Sequence, residues 1–191
     1  MEILDLYDRY RHRSGKTMVR GDAVPDGFFR MVIHICIFGS DGRILIQKRC
    51  KDKKTWPDLW DFSVGGAVAS GEESQEAASR ELLEEIGIVH DFSKERPAMT
   101  VCFDVGYNDF YILDESSGDA LLLADGTRWD EDLSKLKLQR EEVSDIMWAS
   151  EAEVLEMISS RKFVNYHKPL AELIFSMHKQ RGAHDAKHGV R

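Results

Sequence analysis

The chain has 191 residues, and its 26 lysines and arginines stand against 34 aspartates and glutamates, for a formal charge of -8. That length suits one domain with a real core, and the acidic balance argues against nonspecific binding to nucleic acid or to an anionic membrane surface. The three cysteines, Cys36, Cys50 and Cys102, show neither CxxC nor zinc spacing and read as reduced thiols, with Cys36 and Cys102 in apolar strands.

Residues 1–20 read as an amphipathic hairpin, ILDLYDRY and KTMVR joined by a turn at Ser14-Gly15. The opening MEILDLYDRYRHRSG lacks the apolar run of a signal peptide, and no stretch nears the length of a membrane span, so a cytoplasmic protein is expected. Arg9, Arg11, Arg13 and Lys16 read as a solvated strand edge. After a loop through Pro25, residues 28–38 (FFRMVIHICIF) are rich in β-branched and aromatic side chains, which predicts a buried strand. His34 within it reads as a satisfied core histidine rather than a ligand. Ser40-Asp41-Gly42 turns the chain into 43–49 (RILIQKR), the second strand of a hairpin. A polar loop, 50–58, ends at Trp56-Pro57, and 60–68 reads as a strand interrupted by Gly65-Gly66.

Alanine, leucine and glutamate predict a helix over 72–86, stopped by Gly87. Residues 98–113 read as one or two strands broken near 106–109, and 114–140 as a long acidic connection. A strand follows at 143–149. Ser150-x-x-Glu153 is a capping box that starts a helix near 151, and a last helix runs from about 168 to 179. The tail, 181–191, is polar and expected to be disordered. No repeat or linker breaks 1–180, so a single domain is expected, with 1–27 as a hairpin extension and a mixed sheet flanked by helices.

The chemistry concentrates in residues 66–88. At about 100° per residue, Ala78, Leu82 and Ile86 form one helical stripe, while Glu81, Glu84 and Glu85 cluster on an adjacent face. Carboxylates so close repel unless cations offset them, and an oxygen-rich cluster suits a hard divalent ion that keeps open positions for phosphate oxygens. Gly65-Gly66 lets backbone approach, which makes the Gly66 carbonyl a further candidate ligand. Arg80 follows Glu72 by eight residues, and an ion pair between them would lock the loop onto the helix as a structural support. Arg49 and Lys54 are candidate cations for a diphosphate substrate. Trp56, Tyr107 and Trp129 are candidates for stacking on a base.

The string resembles the Nudix box, Gly-x5-Glu-x7-Arg-Glu-U-x-Glu-Glu-x-Gly-U with U apolar, and every defined position is filled. The resemblance implies an α/β (α+β) fold, an α/β/α sandwich with a mixed sheet. It implies a metal-dependent pyrophosphohydrolase that cleaves a nucleoside diphosphate linked to another moiety. Glu81, Glu84 and Glu85 would hold magnesium or manganese. A further carboxylate is expected from a later loop, with Glu142 preferred to Glu141. The general base stays open among Glu81, Glu84 and the loop glutamate. A small-molecule nucleotide or other diphosphate is the expected partner, and a homodimer through the hairpin is an analogy only.

Outside the box, the hairpin, ILIQKR and Lys54-Thr55-Trp56-Pro57-Asp58-Leu59-Trp60 resemble a Nudix group related to isopentenyl diphosphate isomerase. The cysteine and histidine of that isomerase are missing from Asp61-Phe62-Ser63-Val64-Gly65-Gly66, and its upstream histidine would fall near Arg30. Hydrolysis is therefore the leading expectation. An isomerase-like enzyme and an inactive nucleotide-sensing module are the alternatives.

Overall fold

Residues 2–114 and 121–178 are described by the computed structural model, and within them the chain forms eleven strands and three helices. In chain order these are β1 (Ile3–Tyr7), β2 (Arg13–Val19), β3 (Arg30–Phe38), β4 (Ile44–Arg49), β5 (Trp60–Phe62), β6 (Val64–Ala67), α1 (Ser74–Ile86), β7 (Ile88–Val89), β8 (Met99–Phe103), β9 (Gly106–Asp114), β10 (Leu122–Leu123), β11 (Val143–Ala149), α2 (Glu151–Ser159) and α3 (Lys168–Met177).

A seven-stranded mixed sheet runs β11-β4-β3-β9-β8, with β3 and β9 parallel. Alternation along β3 gives each face its own core. Ile33, Ile35 and Ile37 pack under α1 with Ala78, Leu82 and Ile86. Cys36 and Phe38 pack on the opposite side with Val154 of α2 and Ile174 of α3. The sheet therefore lies between helical layers, as the resemblance implies. β3 and β4 pair directly only at Phe38 and Ile44 and then part. The gap is filled by β5, which pairs with β4, and β6, which pairs with β3. Ser63 sits at the switch: its hydroxyl donates to the Leu45 carbonyl at 2.6 Å and accepts from the Ile37 N–H at 2.8 Å. Thus the interruption falls at Ser63, one residue pair earlier than the glycines suggest, because that hydroxyl supplies the bonds the split ladder lacks.

Several expectations need correction. The hairpin turns at residues 8–12, not at Ser14-Gly15. Asp8 accepts the N–H groups of Tyr10 and His12 at 2.8 and 2.9 Å, while Gly15, at φ 75°, lies inside β2. Here Ser14 to Lys16 bulge opposite Leu6, between the Asp5–Thr17 and Tyr7–Arg13 pairs. The basic edge is not simply solvated: Arg11 pairs with buried Asp109, and Arg13 pairs with Asp5 and Glu73. Helix α1 starts two residues late, capped by Glu73 and its reciprocal bond with Glu76. Cys102 lies in a strand but is exposed. The 114–140 connection carries β10 and a 3-10 turn at Leu133–Lys135, pinned by fully buried Trp129. The expected disordered tail, 181–191, lies outside the described residues. No helix among them is long and apolar enough to cross a membrane.

Candidate active site

Packing of α1 on β6 and β3 sets the positions of the acids. Glu81 and Glu85 point toward the sheet and are 7% and 3% exposed, whereas the Glu84 side chain is half exposed. A β-carbon on Gly66 would stand 2.1 Å from the Glu81 carboxyl group, so only glycine lets this strand and helix meet. The Glu85 carboxylate accepts from Gln47 Nε2 at 2.9 Å and from the Gly65 N–H at 3.3 Å. Burial, with repulsion from Glu81 added, pushes its pKa up to about 8. Burial also raises the pKa of Glu81, against the opposing pull of Arg80.

Arg80 forks onto Glu72, with Nε and an Nη each 2.9 Å from a carboxylate oxygen, and also donates to the Ala67 carbonyl. The same guanidinium reaches Glu81 at 2.8 Å and Glu84 at 3.2 Å, so it touches the acidic group as well as supporting the loop. The last carbonyls of α1 explain how Glu142 arrives. Glu85 O and Ile86 O accept the backbone N–H groups of Gln139 and Lys137, which docks the 137–142 segment on the helix end. Glu142 consequently lines one 360 Å³ cavity with Glu81, Glu84, Glu85 and Arg80, and it pairs with Lys53. Glu141 lines a different cavity.

Among the described residues, no three His, Cys, Asp or Glu side chains converge tightly enough to hold a metal ion as they stand. Arg80, Lys53 and Gln47 each hold a carboxylate back. The donor chemistry nevertheless fits a divalent cation. Five carboxylates, those of Glu2, Glu81, Glu84, Glu85 and Glu142, face one cavity, Glu81 and Glu85 among them are buried, and the backbone at Gly66 is bare of side chain.

Gly65 also lines a second cavity, of 390 Å³, whose walls include Arg30, His34, Arg49, Trp56 and Tyr166. Arg49 reaches it but is held by Asp61 at 3.3 Å and by the Thr55 carbonyl. Asp61 also accepts the Tyr166 hydroxyl at 3.0 Å. Lys54 is exposed at the mouth of a neighbouring cavity, and its neighbour Lys53 makes the carboxylate contact. His34 departs from expectation: it is 8% exposed, lines the second cavity, and its Nδ1 has no hydrogen-bond partner. Of the three aromatics that could stack on a base, Trp56 lines the second cavity. Trp129 is core, stacked on Trp148, and Tyr107 is buried with its hydroxyl on the Asp8 carbonyl.

A sequence model of the NUDIX domain matches residues 28–172. A Nudix hydrolase of Listeria monocytogenes is 39% identical over 166 residues, 87% of this chain and 90% of that one. An isopentenyl-diphosphate delta-isomerase of Leifsonia xyli is 36% identical over 72 residues, 38% of this chain and 37% of the isomerase. The crystal structure of DR0079 from Deinococcus radiodurans superposes with a TM-score of 0.65 over 91% of this chain and 97% of its own, at 23% identity, a likeness of fold.

Proposed function

This chain belongs to the Nudix hydrolase family, and from that premise we propose that it cleaves the diphosphate bond of a nucleoside diphosphate linked to another moiety, with magnesium or manganese bound. The observation that carries the reading is the pair of buried carboxylates, Glu81 and Glu85, on a cavity bordered by Gly65 and adjoining the aromatic and arginine-lined one. Glu81, Glu84, Glu85, Glu142 and the Gly66 carbonyl would hold the cation, which supplies positive charge against the diphosphate oxygens as the P–O bond breaks.

The chain's own groups supply the rest. Arg80 fixes the helix to the loop through Glu72 and holds Glu81 and Glu84 in place. A carboxylate among Glu81, Glu84 and Glu142 takes a proton from the attacking water. Lys53 holds Glu142 at the same cavity. Arg49 and Lys54 border the substrate cavities and would meet the phosphate-bearing half of the substrate.

The test is magnesium-dependent product release from dinucleotides, nucleotide sugars and nucleoside triphosphates, measured with and without a chelator. Glu81→Gln and Glu85→Gln should each lower turnover by roughly a hundredfold or more while the fold is retained. Full activity in both variants removes the assignment. Ligand protection against heating with no turnover points to a sensor instead.

A further inference from the structure

Three cavities meet at one side chain. Arg20, the residue after β2, lines the carboxylate cavity, the aromatic cavity beside it, and a third of 810 Å³ that opens toward Lys53 and Lys54. Arg20 lies outside the 28–172 segment matched by the NUDIX sequence model. The hairpin nevertheless fixes it firmly: its N–H donates to Glu2 O at 2.9 Å, and its guanidinium pairs with the Glu2 carboxylate at 2.5 Å. The hairpin is itself bonded to the body, through Ser70 N to Ile3 O at 2.8 Å and the reciprocal Tyr7–Phe29 backbone bonds.

Arg30, at the start of β3, faces two of the same cavities. Its guanidinium has no acidic partner among the described residues, and burial together with the charge of Arg20 holds it below its ordinary pKa. Arg20 shares its charge with Glu2, so the charge left without a carboxylate at this wall is that of Arg30, and an anion brought between the two guanidiniums would relieve their mutual repulsion. Arg49, by comparison, is already held by Asp61. The floor of the cavity adds a buried polar atom with no partner, His34 Nδ1. The acids at one end therefore call for cations, and the arginines beside them call for an anion.

We propose that Arg20, on the N-terminal hairpin, is a substrate-positioning residue that acts with Arg30 to hold anionic oxygens of a diphosphate whose other side lies against the Glu81 and Glu85 cavity. The hairpin thus completes the site. This rests on the pyrophosphohydrolase reading for the identity of the anion, but its binding arm does not depend on turnover.

The test uses the full chain with magnesium and methylenebisphosphonate, whose P–C–P bridge resists hydrolysis, followed by titration calorimetry. Steady-state kinetics on the best substrate of the panel accompany it. R20Q and R30Q should each weaken the probe by about tenfold or more, with KM raised more than kcat is lowered. R20K should recover part of the loss. K16Q removes the same charge from an exposed part of the hairpin and should bind as wild type does. E2Q, which strips Arg20 of its carboxylate, should bind as tightly as wild type or more tightly. Wild-type affinity in R20Q overturns the proposal. So does a loss in E2Q that matches R20Q, because the guanidinium would then be a hairpin strut. If R20Q does not fold, R20K and E2Q decide on the same criteria. Probe binding by a wild type that turns over none of the panel sinks the hydrolase reading alone, and a wild type that does not bind the probe sinks the proposal.

Discussion

Gly66 carries a constraint that a single methyl group would break. The added carbon would stand 2.1 Å from the Glu81 carboxyl, against a buried side chain with little room to retreat. Gly66→Ala should therefore cost roughly 1–3 kcal/mol of stability and abolish metal-dependent turnover, as read by urea unfolding and the product assay. Unchanged turnover would mean that Glu81 does not act from where it packs. His34 makes a prediction about pH. Burial holds its pKa below the ordinary 6.5, so the ring is neutral in the fold. Above that pH the unfolded ring is neutral too, and the full stability is present. As the pH falls through 6.5 the unfolded ring binds a proton that the folded ring refuses, so stability is lost toward acid. His34→Gln should flatten the acid limb of a plot of urea midpoint against pH, and parallel limbs would contradict this assignment.

The parting of β3 and β4 is the element-scale feature that makes the site possible. It opens a wedge for β5 and β6, and β6 brings Gly65 and Gly66 under α1. Ser63 carries that junction with two buried hydrogen bonds. Ser63→Ala should leave a buried N–H and a buried carbonyl unmet and lower stability by about 1–3 kcal/mol, seen as a drop in urea midpoint without loss of secondary structure. Strands and helices with strong local signals were legible in the sequence: the apolar run of β3, the Ser150–Glu153 box that starts α2, and Gly87, which ends α1 at φ 76°. The hairpin turn was misread because Ser14-Gly15 has turn composition, while Asp8, four residues before His12, builds the turn with its side chain. A glycine with positive φ serves a bulge as readily as a turn, and only strand register distinguishes them.

Across the whole molecule, the site divides into a local part and a part assembled by packing. Glu81, Glu84 and Glu85 could be read together because helical geometry puts residues three and four apart on one face. Glu142 was reachable only through resemblance, since its approach depends on Gln139 and Lys137 bonding the end of α1. Lys53 rather than Lys54 meets Glu142, a choice that loop conformation makes and composition does not reveal. In sequence Arg20 follows the hairpin and Arg30 stands within the apolar run of β3, and the two become a pair only when the hairpin docks beside that strand.

A cation that joins these parts should stabilise the fold by mass action, by about 2.7 kcal/mol at a hundredfold excess over its dissociation constant. The most direct measurement is manganese binding to the full chain, followed by loss of the free-ion electron paramagnetic resonance signal. Wild type should bind manganese, and Glu81→Gln and Glu85→Gln, verified as folded by circular dichroism, should bind it at least about tenfold more weakly. Equal binding by all three, or none by wild type, would contradict a divalent-cation site at these carboxylates.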